Sequence, residues 1–86
     1  MLRERRRNVT DDSDVAQARV FLAALDREID AVSLELEQVR RFVAISSEQG
    51  NDTSEIRHRE KMQEHKKVLR ELHRQSENLR LRFSLT

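Results

Sequence analysis

From Val15 to Val43 apolar residues recur at alternating steps of three and four: Val15, Ala18, Leu22, Leu25, Ile29, Val32, Leu36, Val39 and Val43. A period of 3.5 sustained over four heptads is the signature of a helix lying along another helix. It leaves little room for any other fold. A strand would need alternation at every second residue, and no such stretch occurs. The chain has no proline and one glycine, so nothing breaks two long helices except a turn at that glycine.

Downstream residues supply the partner. His58, Met62, His65, Leu69, Leu72, Ser76, Leu79 and Phe83 repeat the same heptad steps. Antiparallel pairing matches residues whose numbers sum to 101: Ala18 with Phe83, Leu22 with Leu79, Leu25 with Ser76, Ile29 with Leu72, Val32 with Leu69, Leu36 with His65, Val39 with Met62, Val43 with His58. The midpoint of that register falls between Gly50 and Asn51, two turn-forming residues. Seam and turn therefore agree independently. The expected fold is all-α: an antiparallel, coiled-coil-like helical hairpin. Its helices are placed at about 13–47 and 53–82, joined by a loop at 48–52.

Local signals fit these bounds. Asp11, Asp12, Ser13 and Asp14 can accept the unpaired amide protons of a first helical turn, where negative charge is also favoured. Asp52 is the expected cap of the second helix, with Glu55 three residues on to reach back. Residues 1–13, with Arg3, Arg5, Arg6 and Arg7, form a charged leader that the composition marks as mobile.

Helix 1 carries more apolar surface than one partner can cover. Val20, Phe21, Ala24, Ala31, Leu34, Phe42 and Ile45 all lie off the seam. Burying a large apolar side chain is worth roughly 1.5–3 kcal/mol, and exposing several invites association. A two-helix hairpin is also short of core for its length. The stripe is thus expected to meet a further helix. That helix would come from a missing N-terminal segment of the same protein, giving a three-helix bundle, from a second copy, giving a four-helix bundle, or from another protein.

Charge and composition narrow the function. The net charge is +1, but its distribution is uneven: Asp11–Ser46 holds eight acids and four arginines, whereas Glu55–Arg82 holds nine bases and five glutamates. Two helices of opposite sign attract across their flanks by tenths of a kcal/mol per exposed pair. The basic face of helix 2 (Arg57, Lys61, Lys66, Lys67, Arg70, Arg74) is interleaved with glutamates and lacks an aromatic to stack on bases, so nucleic acid is not favoured. Cysteine is absent, which excludes thiol chemistry and disulfides. His58 and His65 stand about 10.5 Å apart along a helix axis and cannot share a metal ion. Carboxylate pairs such as Asp26 with Asp30 have no cleft to perturb them. No catalysis, cofactor or metal is expected. No apolar run approaches the ~18 residues of a membrane span.

One stretch carries a family resemblance. Met62-Gln63-Glu64-His65-Lys66-Lys67-Val68-Leu69-Arg70-Glu71 resembles the Leu-Gln-Arg-His-Arg-Asp-Ile-Leu-Gln-Asp segment of the Golgi SNAP receptor complex family, the Qb-type Golgi SNAREs. Phe83 falls where that family has the Phe of its Lys-Ala-Asn-Phe ending, and Glu28-Ile29-Asp30 with the following heptads resembles the preceding helix. Ser76 stands where the family has an aromatic and Leu72 where it has a Tyr. The resemblance implies the cytosolic N-terminal regulatory region of a SNARE in ER–Golgi or intra-Golgi vesicle transport, on the cytoplasmic face of Golgi membranes. It also implies a three-helix bundle whose first helix would cover the stripe, with tethers or SNARE helices as partners. The membrane would be reached only through parts absent from this chain. The alternative is a cytoplasmic homodimeric four-helix bundle serving as an adaptor, RNA-binding protein or secretion chaperone.

Overall fold

The structure is a computed structural model that describes residues 12–84. Of the leader at 1–13, all but Asp12 and Ser13 lies outside the described residues, as does Asp11 among the expected capping acids. Two helices, α1 (Asp12–Glu48) and α2 (Asp52–Phe83), fold back on each other as an antiparallel hairpin. Each runs about a residue beyond the sequence expectation at both ends.

The α1 seam forms the core. Ala18, Leu22, Leu25, Val32, Leu36, Val39 and Val43 are buried, and Val15 and Ile29 are half-buried. The α2 side is covered less completely. His58, Met62, His65, Leu69, Leu72, Leu79 and Phe83 are half-buried, and Ser76 is the one buried α2 residue among those described. Side-chain length is only part of the difference: Met62, His58, His65 and Phe83 are longer than the Val, Ala and Leu they cover, but Leu69, Leu72 and Leu79 are half-buried as well. No third layer covers them.

The turn differs from expectation in one respect. Asn51, not Asp52, caps α2: its side-chain oxygen accepts a 3.1 Å hydrogen bond from the Ser54 amide. The reason is backbone geometry. Gly50 takes a left-handed φ of +68°, and Asn51 then sits in a non-helical conformation (φ −92°, ψ 84°) from which its side chain faces the first turn. Asp52 is already helical and adds its charge to that turn. With the cap moved back one position, Glu55 does not reach back; its carboxylate holds Arg59 at 2.8 Å instead. At the other end Ser84 closes α2 in a left-handed conformation (φ 54°), its amide donating to the Arg80 carbonyl.

Two side-chain contacts tie the helices near the turn. The buried Ser46 hydroxyl donates to the Ser54 hydroxyl at 3.0 Å, and the Phe42 ring stacks on His58 with centroids 5.3 Å apart. Toward the open end Arg80 lies 3.6 Å from Asp26. This is the one ion pair between the helices among the described residues; Arg59–Glu55 and Arg74–Glu71 lie within α2. The opposite net charges of the helices therefore act mainly at long range.

Candidate docking stripe on α1

Heptad geometry separates the hairpin into two flanks. On one, Asp26 and Asp30 of α1 face His73, Glu77 and Arg80 of α2 across a polar cleft. The Arg80 guanidinium pairs with Asp26, and its Nε also donates to the buried Ser76 hydroxyl at 3.4 Å. A polar residue in the middle of the seam is thereby satisfied from one turn away. The lining of this cleft is polar apart from the half-buried Ile29.

The other flank carries the stripe. Val20, Phe21, Leu34, Phe42 and Ile45 are between 48% and 70% exposed, and Ala24 and Ala31 are exposed with them. All seven lie on one face of α1, at the three heptad positions turned away from the polar cleft. Near its N-terminal end Val20, Phe21 and Ala24 line a shallow apolar depression with Ala16 and Gln17. Phe21 also borders a hollow with Gln75, Leu79 and Arg82 of α2. From Phe21 to Phe42 the stripe runs about 31 Å, nearly six turns of helix.

The α2 helix extends this surface by one residue that sequence reasoning passed over. Val68 is 45% exposed and stands seven and fourteen residues before Gln75 and Arg82, the side chains beside Phe21. It therefore shares their flank. Its heptad position, directly before the seam residue Leu69, was the available signal. Ile56, at the heptad position of the cleft residue Glu77, and Leu81, on the outer side of α2, are also exposed, each singly, as is ordinary for surface apolar residues.

Polar residues interrupt the stripe. Arg27, Glu28, Glu35, Gln38 and Arg41 lie among its apolar members and are exposed. Two linked titrations are clearly displaced among the described residues, both on α2: Glu71 accepts hydrogen bonds from Arg74 (2.7 and 3.2 Å) and Gln75 (3.1 Å), and the Arg74 bond above all holds its carboxyl below the usual carboxylate range. The same pairing raises Arg74. Among the described residues no group of three or more His, Cys, Asp or Glu could hold a metal ion, and no helix is long and apolar enough to cross a membrane.

Comparison with protein-family models, curated proteins and solved structures finds no match for this chain.

Proposed function

We propose that the chain is a non-catalytic protein-interaction module that works by docking a further helix along the α1 stripe. One observation carries this reading. Seven residues, from Val20 to Ile45, lie exposed on a single helical face, whereas the cleft on the opposite flank, between Asp26 and Arg80, is lined mostly by polar side chains. Covering that face recovers part of the roughly 1.5–3 kcal/mol that each large apolar side chain gains on full burial. Helix-on-helix docking is the recognition mode such a stripe fits.

The finer reading is the N-terminal regulatory region of a Golgi-type SNARE in vesicle transport. Its support is the resemblance at Met62–Glu71, together with a hairpin whose heptads continue on both sides of that segment. Under this reading the cellular site is the cytoplasmic face of Golgi membranes, and partners are tethers or SNARE helices.

The two levels are tested separately. A photo-crosslinking residue at Leu34, introduced into the protein in its own cell, should capture a helical segment that the same residue at Gln63, on the polar outer side of α2, does not. Equal capture from both positions, or none from Leu34, overturns the docking module. For the SNARE reading, the gene should continue past Thr86 into a heptad segment with a central Gln and then ~20 apolar residues. A reading frame lacking that segment removes the SNARE assignment and leaves the docking module standing.

A further inference from the structure

We propose that the flank opposite the stripe holds a phosphate-binding site near the turn, formed by Arg40 of α1 with Arg59 and Lys66 of α2. The site stands independently of the docking module and of the SNARE assignment. Its basis is register. Asp26 lies 3.6 Å from Arg80 and lines one cleft with His73. Arg40, Lys66 and Arg59 stand two whole heptads nearer the turn than Asp26, Arg80 and His73, respectively. In an antiparallel helix pair an equal displacement along both helices reproduces the same facing. Arg40 therefore has, toward Lys66 and Arg59, the place that Asp26 has toward Arg80 and His73.

The first set contains an attraction and the second a repulsion. Facing like charges destabilise a helix pair, and little nearby offsets them. Among the described residues Arg40, Lys66 and Arg70, one turn past Lys66, make no ion pair, and Arg59 pairs only with Glu55 of its own helix. Glu37 is the other acid on this stretch of the flank; Asp26, Asp30 and Glu77 line the cleft farther from the turn. Lys66 is also half-buried, so its stem lies against the hairpin instead of extending into water. The hairpin thus carries a concentrated positive charge at a cost to its own stability.

A phosphate group suits this arrangement. It brings more than one negative charge and several acceptor oxygens, which the two guanidinium forks and the ammonium can share. Arg59 and Lys66 are about 10.5 Å apart along α2, with Arg40 facing the gap between them, a span that side chains of this length close. No aromatic residue stands on this flank to stack on a base. The ligand is therefore read through its phosphate alone, whether that belongs to a small free polyanion or to a lipid headgroup.

Pyrophosphate added to the full chain should bind with a Kd on the order of 1 mM. At about ten times Kd it should raise the folding equilibrium constant about tenfold over chloride of equal ionic strength. The side-chain Nε–H signals of Arg40 and Arg59 should shift on binding. Lys66→Glu should weaken binding at least about tenfold, whereas Lys61→Glu, the same charge change on the stripe's flank, should weaken it less than about threefold. Lys66→Glu should also raise the melting temperature by about 3 °C, because a carboxylate then faces Arg40, and Arg40→Gln should remove much of that gain. Equal weakening by the two Glu variants, unmoved Arg40 and Arg59 signals, or a melting gain indifferent to Arg40→Gln each overturns the proposal. Sedimentation with phosphatidate vesicles separates the sources. Binding that Lys66→Glu abolishes and pure phosphatidylcholine does not reproduce assigns a lipid headgroup; pyrophosphate binding without vesicle binding assigns a free anion.

Discussion

Ser46 and Ser54 join their hydroxyls at 3.0 Å across the closed end of the hairpin, with Ser46 buried in the seam one heptad step beyond Val43. The Ser46 carbonyl accepts the Asn51 amide at 2.9 Å as well, so this residue is held by the turn and by α2 at once. The last layer of the seam is thus polar and satisfied. A double-mutant cycle with Ser46→Ala and Ser54→Ala should return a coupling of about 0.5–1 kcal/mol in urea denaturation. A coupling indistinguishable from zero would mean that water serves both hydroxyls equally well.

Leu34 and Leu36 share a residue type and a helix but not an environment: 62% against 7% exposed. Leu36→Ala removes a core side chain and should lower unfolding free energy by about 2–3 kcal/mol, a large fraction of what a hairpin of this size possesses. Leu34→Ala should cost under about 0.5 kcal/mol in the isolated chain. Chemical denaturation of the two variants reads both effects.

The turn separates two backbone requirements that adjacent residues meet. A Cβ added at Gly50 would meet nothing within 4 Å, so the whole cost of Gly50→Ala is its φ of +68°. That cost should be about 1–2 kcal/mol, and Gly50→Asn should recover part of it because Asn tolerates the left-handed region. Asn51→Ala removes the cap on the Ser54 amide and should cost about 1 kcal/mol, against a few tenths for Asp52→Ala, which loses only first-turn charge. Reversal of the Asn51 and Asp52 effects in thermal melts would place the cap one residue later.

Much of this architecture is written in the sequence because heptad spacing constrains both halves of the hairpin at once. The steps from Val15 to Val43 and from His58 to Phe83 share a midpoint at Gly50, and the structure turns there. The cap was misplaced because Asn51 and Asp52 are equally good cap residues, and the choice is made by the backbone angles Gly50 permits. The shallow burial of α2 extends to Leu69, Leu72 and Leu79 while Leu22, Leu25 and Leu36 of α1 are buried, a difference that heptad periodicity does not encode. Ser76 looks like a defect in the heptad until Arg80, one turn on, is seen to donate to it while pairing with Asp26. The stripe was visible as surplus apolar residues, but Val68 was not, because a single apolar residue on a charged helix gives no pattern of its own.

Glu71 gives the hairpin a signed response to acid. Its carboxyl is held below the ordinary value of 4.5, first by the Arg74 hydrogen bond, then by Gln75, with a smaller opposing effect of desolvation. The folded state therefore binds the Glu71 proton more weakly than the unfolded chain does. The resulting stabilisation is present above the ordinary carboxylate range and is lost as pH falls through the lowered folded value. Because the group lies at the surface, the effect is small and fades with salt. A carbon-detected NMR titration should show the Glu71 midpoint move upward in Arg74→Ala, and only part of the way, since Gln75 still donates at 3.1 Å. Glu71→Gln should flatten the acid side of the stability curve slightly and leave its neutral plateau lower. A Glu71 midpoint unmoved by Arg74→Ala would show that the i,i+3 pair does not persist in solution.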